Sequence, residues 1–215
     1  MKSKVTTKPS IEPVSLDEVK ASLRYTSSAQ DELITQYITD ARQMVERYTS
    51  RKLITQTVTG YGFPYAYNQD QWWDGYKMGP ISALNGRLSH IELDHGPVQS
   101  IQSVSTFDIS NVAIVYASSN YYLDNYDEDR MPRLEFNENA DYPGALRQEN
   151  NWQVVYVAGY GDERSDVPAD IRRAIVLLAG YLWSNRGACS DEGECIGGCG
   201  AKSMLDKYRI EYALS

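Results

Sequence analysis

The sequence predicts an α+β fold: a small helical bundle interrupted by an antiparallel β region and followed by an extended C-terminal tail. Three observations predict it. Apolar residues recur every three or four positions along about residues 29–49, which is the mark of an amphipathic helix. From about 53 to 160 the pattern shifts to short alternating runs separated by Pro, Gly and Asn, which read as strands and turns. A second long apolar helix pattern then follows over about 168–186.

Taken in order, residues 1–12 are polar, carry Pro9 and read as a flexible arm. A first helix, about 15–24, is announced by Ser15 and Glu18 at capping-box spacing, with Val14 and Val19 placed for a hydrophobic staple. The second helix carries its stripe on Leu33, Ile34, Tyr37, Ile38, Ala41, Met44, Val45 and Tyr48. Its other face, with Gln36, Asp40, Arg42, Gln43 and Glu46, is polar, so it is expected to pack on one side only. Asp31 and Glu32 open it and Arg47 closes it, in line with the helix dipole. Strand candidates are Leu53–Tyr61, His90–Asp94, Ser100–Val104, Val112–Tyr116, Tyr121–Leu123, Arg133–Phe136 and Trp152–Val157. Between them, residues 63–87 read as a long aromatic loop containing Tyr65, Tyr67, Trp72, Trp73 and Tyr76. The third helix has Pro168 in its first turn. Ile171, Ala174, Ile175, Leu178 and Leu182 line one side, and Val176, Leu177, Tyr181 and Trp183 make its back apolar too. Such a helix must be covered all round, either by the chain's own sheet or by a neighbouring subunit. Residues 188–215 read as a Cys/Gly linker and a short helical tail.

Composition narrows the function. Of 215 residues, 21 are Lys or Arg and 29 are Asp or Glu, a net charge of −8. Proteins that grip nucleic acid cluster positive charge against phosphates, so this balance argues against a clamp and suits a conduit. The chain holds 17 Tyr and 4 Trp against 3 Phe. Tyr and Trp join an apolar body to a polar tip, which suits surfaces that are wet alone and buried in a complex. No apolar stretch follows Lys2 and Lys4, and the run Ile171–Trp183 is too short to span a bilayer. The expected place of synthesis and assembly is the cytoplasm.

Candidate chemistry is sparse, and no catalytic, cofactor-binding or metal site is expected. His90 and His95 bracket Glu92 and Asp94, but not at the spacing of a helical zinc motif. On a strand, His90, Glu92 and Asp94 share a face and His95 takes the other. Cys189, Cys195 and Cys199 lack the close pairing of a structural zinc site. They are read as free thiols in a linker, with zinc or a cross-link formed after release as the alternatives. Asp124, Asp127, Glu128 and Asp129 do not follow the order of a calcium loop. Gly159-Tyr160-Gly161 has no third Gly and no Lys-Ser/Thr after it, so it is a turn rather than a phosphate cradle.

Several blocks resemble the head–tail connector (adaptor) family of tailed bacteriophages. They are Pro13-Val14-Ser15-Leu16-Asp17-Glu18-Val19-Lys20, Asp31-Glu32-Leu33-Ile34 and Val45-Glu46-Arg47-Tyr48-Thr49-Ser50-Arg51. Ile91-Glu92-Leu93 with Gly96-Pro97-Val98, and Tyr156-Val157-Ala158-Gly159-Tyr160-Gly161 with Val167-Pro168, continue the resemblance. It extends over about 13–187, as one connector domain, and closes at Trp183-Ser184-Asn185-Arg186. It implies a structural virion protein without catalytic activity, located in the phage neck. Such a protein forms a homo-oligomeric ring, commonly of twelve subunits, beneath the portal. It helps retain packaged DNA, which passes through the lumen without specific binding, and docks a stopper or tail-completion protein. On this reading Ile171, Ile175, Leu178, Tyr181 and Trp183 are expected at the subunit interface. Met204, Leu205, Tyr208 and Arg209 are expected on the portal. Tyr65, Tyr67, Trp72, Trp73 and Tyr76 are expected on the tail side or a neighbour. The Cys/Gly stretch 189–200 and the loop 63–87 depart from the family pattern.

Two other readings compete. One is a tail-completion or stopper protein, against which the strong second and third helices weigh. The other is a glycan- or surface-binding module that stacks sugar on Trp72 and Trp73.

Overall fold

A computed structural model describes residues 1–62, 65–66, 88–125, 130–138, 140–141, 143–185 and 192–210, with backbone alone at 65, 66, 88, 89 and 192. The chain divides into two compact units. One is drawn from Thr7–Gln56, His95–Pro97 and Ala158–Ser215, and the other from Met1–Thr6, Thr57–Asp94 and Val98–Val157. The architecture is α+β, as the sequence predicts.

The first unit is helical. Helix α1 spans Leu16–Leu23, and the expected capping box is formed: Glu18 N–H donates to Ser15 Oγ at 3.2 Å and Ser15 N–H to Glu18 Oε2 at 2.6 Å. Helix α2 spans Asp31–Thr49 and ends at Ser50, whose φ of 55° breaks the helical run. Helix α3 spans Ala169–Ser184, and α4 (Glu192–Gly198) and α5 (Lys202–Leu205) follow. Helix α3 packs on α1, α2 and α5 around a core of Val14, Val19, Ile34, Ile38, Ala41, Val45, Ile171, Ala174, Ile175 and Leu178. At Gly159 the chain passes so close to Ile54 that a Cβ would lie 2.7 Å from its carbonyl carbon, and φ is +140°. The Gly-Tyr-Gly turn therefore serves packing: Tyr160 N–H donates to Leu53 O at 3.0 Å and Thr55 N–H to Gly161 O at 3.0 Å.

Three expectations change here. Arg42 and Glu46, assigned to the wet face of α2, are 6% and 4% exposed. Glu46 accepts from Gln56 Nε2 at 2.7 Å and from Leu53 N–H at 3.3 Å, and it pairs with Arg42 and Lys52, both at 3.3 Å. Glu12 takes the Arg42 Nε at 2.8 Å. Partners from three segments thus replace water, and the helix is covered on a second side. Second, residues after 200 do not trail away as an extended tail. Leu205 and Ile210 are buried, and Ile210 N–H donates to Thr49 O at 3.1 Å. Apolar side chains at Ala201, Leu205 and Ile210 draw the segment onto the helices. Third, Cys195 is disulfide-bonded and fully buried, whereas Cys199 is a free thiol.

The second unit is built of β-strands. The N-terminal residues expected as an arm form strand β1, Lys2–Thr7. It lies beside β2 (Gln56–Gly62), and the Thr6 and Thr59 hydroxyls hydrogen-bond at 2.7 Å. The further strands are β3 (Tyr65–Ala66), β4 (Leu88–Glu92), β5 (Val98–Phe107), β6 (Ala113–Val115), β7 (Tyr121–Asp124), β8 (Arg133–Phe136) and β9 (Trp152–Ala158). They make a five-stranded sheet in the order β1-β2-β9-β5-β6 and a four-stranded sheet in the order β3-β4-β8-β7. The pairs β3–β4, β4–β8, β5–β6 and β7–β8 are antiparallel. An aromatic cluster joins the two sheets. The Trp152 ring on β9 meets Tyr116 at 4.8 Å and Phe136 on β8 at 5.3 Å, both near edge-to-face. Tyr156 is also fully buried, so part of the tyrosine excess is core.

Candidate assembly surfaces

On the helical unit, the residues expected at a subunit interface separate into two groups. Ile171, Ile175 and Leu178 have no exposed surface; the chain's own α1, α2 and α5 cover them. Tyr181 and Trp183, in the last turn of α3, are half-buried. Trp183 meets Tyr25 at 5.4 Å and Tyr37 edge-on at 6.5 Å, which leaves part of the indole open.

The four expected portal contacts separate in the same way. Leu205 is core, Met204 and Tyr208 are half-buried, and Arg209 is exposed. The segment is fixed by polar bonds as well as by Leu205 and Ile210. Arg51 Nε donates to Tyr208 O at 2.6 Å, Tyr48 donates its hydroxyl to Asp206, and Lys207 pairs with Asp170. Lys202 holds Asp206 at 2.8 Å. That bond and the Tyr48 hydroxyl keep the Asp206 carboxyl below the usual range. The guanidinium of Arg209 stands 5.4 Å from the Tyr48 ring and faces solvent. Burial raises the pKa of the neighbouring Cys199 thiol, whose Sγ donates to Ile196 O at 3.3 Å.

On the β unit, the register of β4, β8 and β7 places His90, Glu92, Arg133, Glu135, Tyr122 and Asp124 on one face of the four-stranded sheet. The opposite face carries Ile91, Leu123, Leu134 and Phe136. Arg133 donates to Glu92 at 3.1 Å. Burial and the positive charge of Arg133 lower the His90 pKa, while burial and Asp124 raise that of Glu135. Among the described residues, no group of three or more His, Cys, Asp or Glu is placed to hold a metal ion. Nor is any described helix long and apolar enough to cross a membrane.

The surface that sequence reasoning missed is the edge formed by β6 and the turn before it. Ile109, Val112, Ile114 and Val115 are 72%, 56%, 52% and 75% exposed. Their run of apolar residues signals a strand, which is correct, but also suggests a covered one. Asp108 Oδ1 fixes the turn, accepting from Ser110 N–H at 2.8 Å and Val112 N–H at 2.9 Å. Of the aromatic residues expected on the tail side, Tyr65 lies in β3, and Tyr67, Trp72, Trp73 and Tyr76 fall outside the described residues.

Comparison with known proteins bears out the resemblance read from the sequence. Residues 13–75 match the model of the Phage gp6-like head-tail connector protein family. The fold of the whole chain is similar to a chain in the virion of a native gene transfer agent particle, with a TM-score of 0.73 and 19% identity over 100% of this chain and 98% of that one. It is equally similar to a chain in the neck of an empty gene transfer agent particle computed with C6 symmetry (TM-score 0.73, 18% identity, 100% and 98% covered). A chain in the neck of the native particle computed with C12 symmetry gives a TM-score of 0.66 at 19% identity, over 100% and 98% of the two chains. No curated protein matches the sequence.

Proposed function

We propose that this chain is a structural subunit of the neck of a tailed-phage-like particle, a head–tail connector that acts by assembly and not by catalysis. The observation that carries the reading is the coincidence of two findings. The connector family model matches at 13–75, and the fold of the entire chain follows that of chains from virion and neck structures. In this role copies close into a ring beneath the portal. The ring helps retain packaged DNA and offers its far side to a stopper or tail protein.

A cyclic ring needs two different complementary faces on each copy. On the helical unit, the open parts of Tyr181 and Trp183 are the candidates for such contact. Exposed Arg209 and the open parts of half-buried Met204 and Tyr208 are the candidates for portal contact, and the aromatic stretch 63–87 is assigned to the tail side. The net charge of −8 suits a lumen through which DNA passes without adhering.

The test is size measurement and negative-stain imaging of the purified chain, alone and mixed with portal. Closed rings, or monomers that assemble on portal, are expected. A monomer that ignores portal at every concentration refutes the reading. Arg209→Glu combined with Met204→Glu should weaken portal binding at least tenfold without altering the fold, and unchanged binding would move the portal contact elsewhere.

A further inference from the structure

We infer that the edge of β6 and the cleft beside it form a docking site for an extended segment of a different protein, one that carries Lys or Arg on alternate residues. The inference goes beyond the ring reading, since it concerns a partner of other composition and holds whether or not copies close into a ring.

The main chain supplies one half of the site. Asp108 N–H donates to Val112 O at 3.1 Å, and Tyr116 N–H donates to Val104 O at 2.8 Å. Backbone groups alternate sides along a strand, so Val112, Ile114 and Tyr116 turn theirs towards β5, and Ala113 and Val115 turn theirs outward. Among the described residues β6 is the last strand on its side of the sheet. Every residue of β6 is exposed, and from Ile109 to Leu123 the sequence holds no charged residue to keep a strand away. Main-chain groups of this kind accept an extended segment of many sequences, so the edge alone does not choose its partner.

The cleft makes the choice. It is open, holds about 360 Å³ and is lined by Asp108, Ile114, Asp141, Pro143 and Leu146. Thr106 and Ile114 are register partners, and Asp108 stands two residues beyond Thr106, so all three project to one face of the sheet. Asp141 is exposed. Its backbone oxygen accepts the Tyr116 hydroxyl at 2.7 Å, and its carboxylate is near enough to help raise the Tyr116 pKa. A strand laid on β6 sends every second side chain to this face. A Lys or Arg there lays its aliphatic stem along Ile114 and Leu146 and brings its charge to the two carboxylates. The intervening side chains fall on the other face, beside Val115, which is 75% exposed and suits an apolar residue.

Charge separates the possible occupants. From Asp108 to Glu149 the chain holds nine Asp or Glu against three Lys or Arg, so this stretch carries −6 of the net −8. Two of the three cations are already engaged. Arg133 donates to Glu92 at 3.1 Å, and Arg147 lies over the Phe107 ring at 3.9 Å with its Nε on Asn150 O at 3.1 Å. An acidic segment, or the same acidic stretch of another copy, is repelled here, whereas a basic segment is drawn in.

Fluorescence anisotropy on the full-length chain tests the site with three short labelled peptides. The first alternates Val and Lys. The second replaces each Lys with Glu. The third keeps each Lys and replaces each Val with Pro, which removes the N–H groups that would meet Ala113 and Val115. The first should bind about tenfold or more tightly than either of the others, as expected when an ion pair and main-chain bonds are lost. Asp141→Asn should weaken it about fivefold, the worth of one partly exposed ion pair. Ala113→Pro removes an outward N–H, leaves the bonds to β5 in place and should weaken it by about as much. Near-ultraviolet circular dichroism should be unchanged in both variants. If Ala113→Pro unfolds, Asp141→Asn decides, because the Tyr116 bond is to the backbone. Failure of the Val/Lys peptide to bind, or equal binding of the Val/Glu peptide, overturns the inference. Binding that neither variant alters also overturns it, since general charge attraction would then suffice. Rings that are lost in Ala113→Pro while the peptide is ignored would give the edge to a second copy, and would overturn this inference with the ring reading intact.

Discussion

Replacing Glu46 with Ala tests the buried polar network of the helical unit. The carboxylate is 4% exposed and serves Gln56 Nε2, Leu53 N–H, Arg42 and Lys52 at 2.7–3.3 Å. After its removal Arg42 keeps Glu12 at 2.8 Å. Lys52 has no other ion-pair partner among the described residues, and its side chain is 11% exposed. Stranding one member of a buried pair costs about 3–5 kcal/mol. The orphaned Leu53 and Gln56 donors add about 1 kcal/mol each. For a chain of this size 1 kcal/mol moves the melting midpoint by roughly 2–4 °C, so a drop of about 10 °C or more is expected. Thermal melting followed by helical circular dichroism measures the shift, and urea unfolding gives the free energy. The double variant Glu46→Met with Lys52→Met separates the two contributions, because it removes the stranded charge along with its partner. It should be less destabilised than Glu46→Ala alone. A loss below about 1 kcal/mol for Glu46→Ala, or a double variant as unstable as the two singles added together, would refute the stranded-charge reasoning.

Gly159→Ala should destabilise by about 2–3 kcal/mol, from the φ of +140° and the contact with Ile54, read by the same unfolding assay. Leu205→Ala should cost about 2–5 kcal/mol, as for other fully buried leucines. Truncation after Gly200 should therefore lower the melting midpoint rather than leave the fold intact. Tyr116 is pushed up to about 12 by burial and the nearby Asp141, and its hydroxyl donates to Asp141 O at 2.7 Å. A phenol raised in the folded state stabilises fully below pH about 10, and that contribution is lost as pH rises to 12. Tyr116→Phe should therefore be less stable than wild type by about 1 kcal/mol near neutrality, with a smaller further loss between pH 10 and 12, as melting scans would show. Glu18 is held below its usual range by the Ser15 N–H. Its contribution is present above the unfolded value of 4.5 and is lost as pH falls through the folded one. Ser15→Ala should cost about 1 kcal/mol by removing the Oγ cap while leaving most of that acid limb in place, because the Ser15 N–H still holds the Glu18 carboxylate.

Much of the helical unit was legible because its signals are local. The stripe on α2 and the Ser15–Glu18 box need only residues three or four apart, and both formed as read. The buried state of Arg42 and Glu46 was not legible, because it depends on Glu12, Lys52 and Gln56, which lie outside the helix. Residue type alone marks both side chains as polar; only the partners decide whether they leave water. Residues 2–7 were illegible for a similar reason. One Val among Lys, Ser and Thr carries little strand signal, and what makes it a strand is β2, some fifty residues away in sequence. The interface expectations failed to separate core from surface on α3 because an all-round apolar helix reads the same whether its own chain or a neighbour covers it. The structure separates them: Ile171, Ile175 and Leu178 are covered, and Tyr181 and Trp183 remain half-open.

Strand β6 shows the opposite case, where a sequence signal is right about the element and at odds with its surroundings. A run such as Val112-Ala113-Ile114-Val115 is what a covered strand looks like, and a free edge would ordinarily carry a charge or a proline. Here the strand forms, and among the described residues no further strand lies beyond it. Local pattern and exposure conflict in the monomer, and a conflict of that kind tends to mark a functional site rather than a folding error.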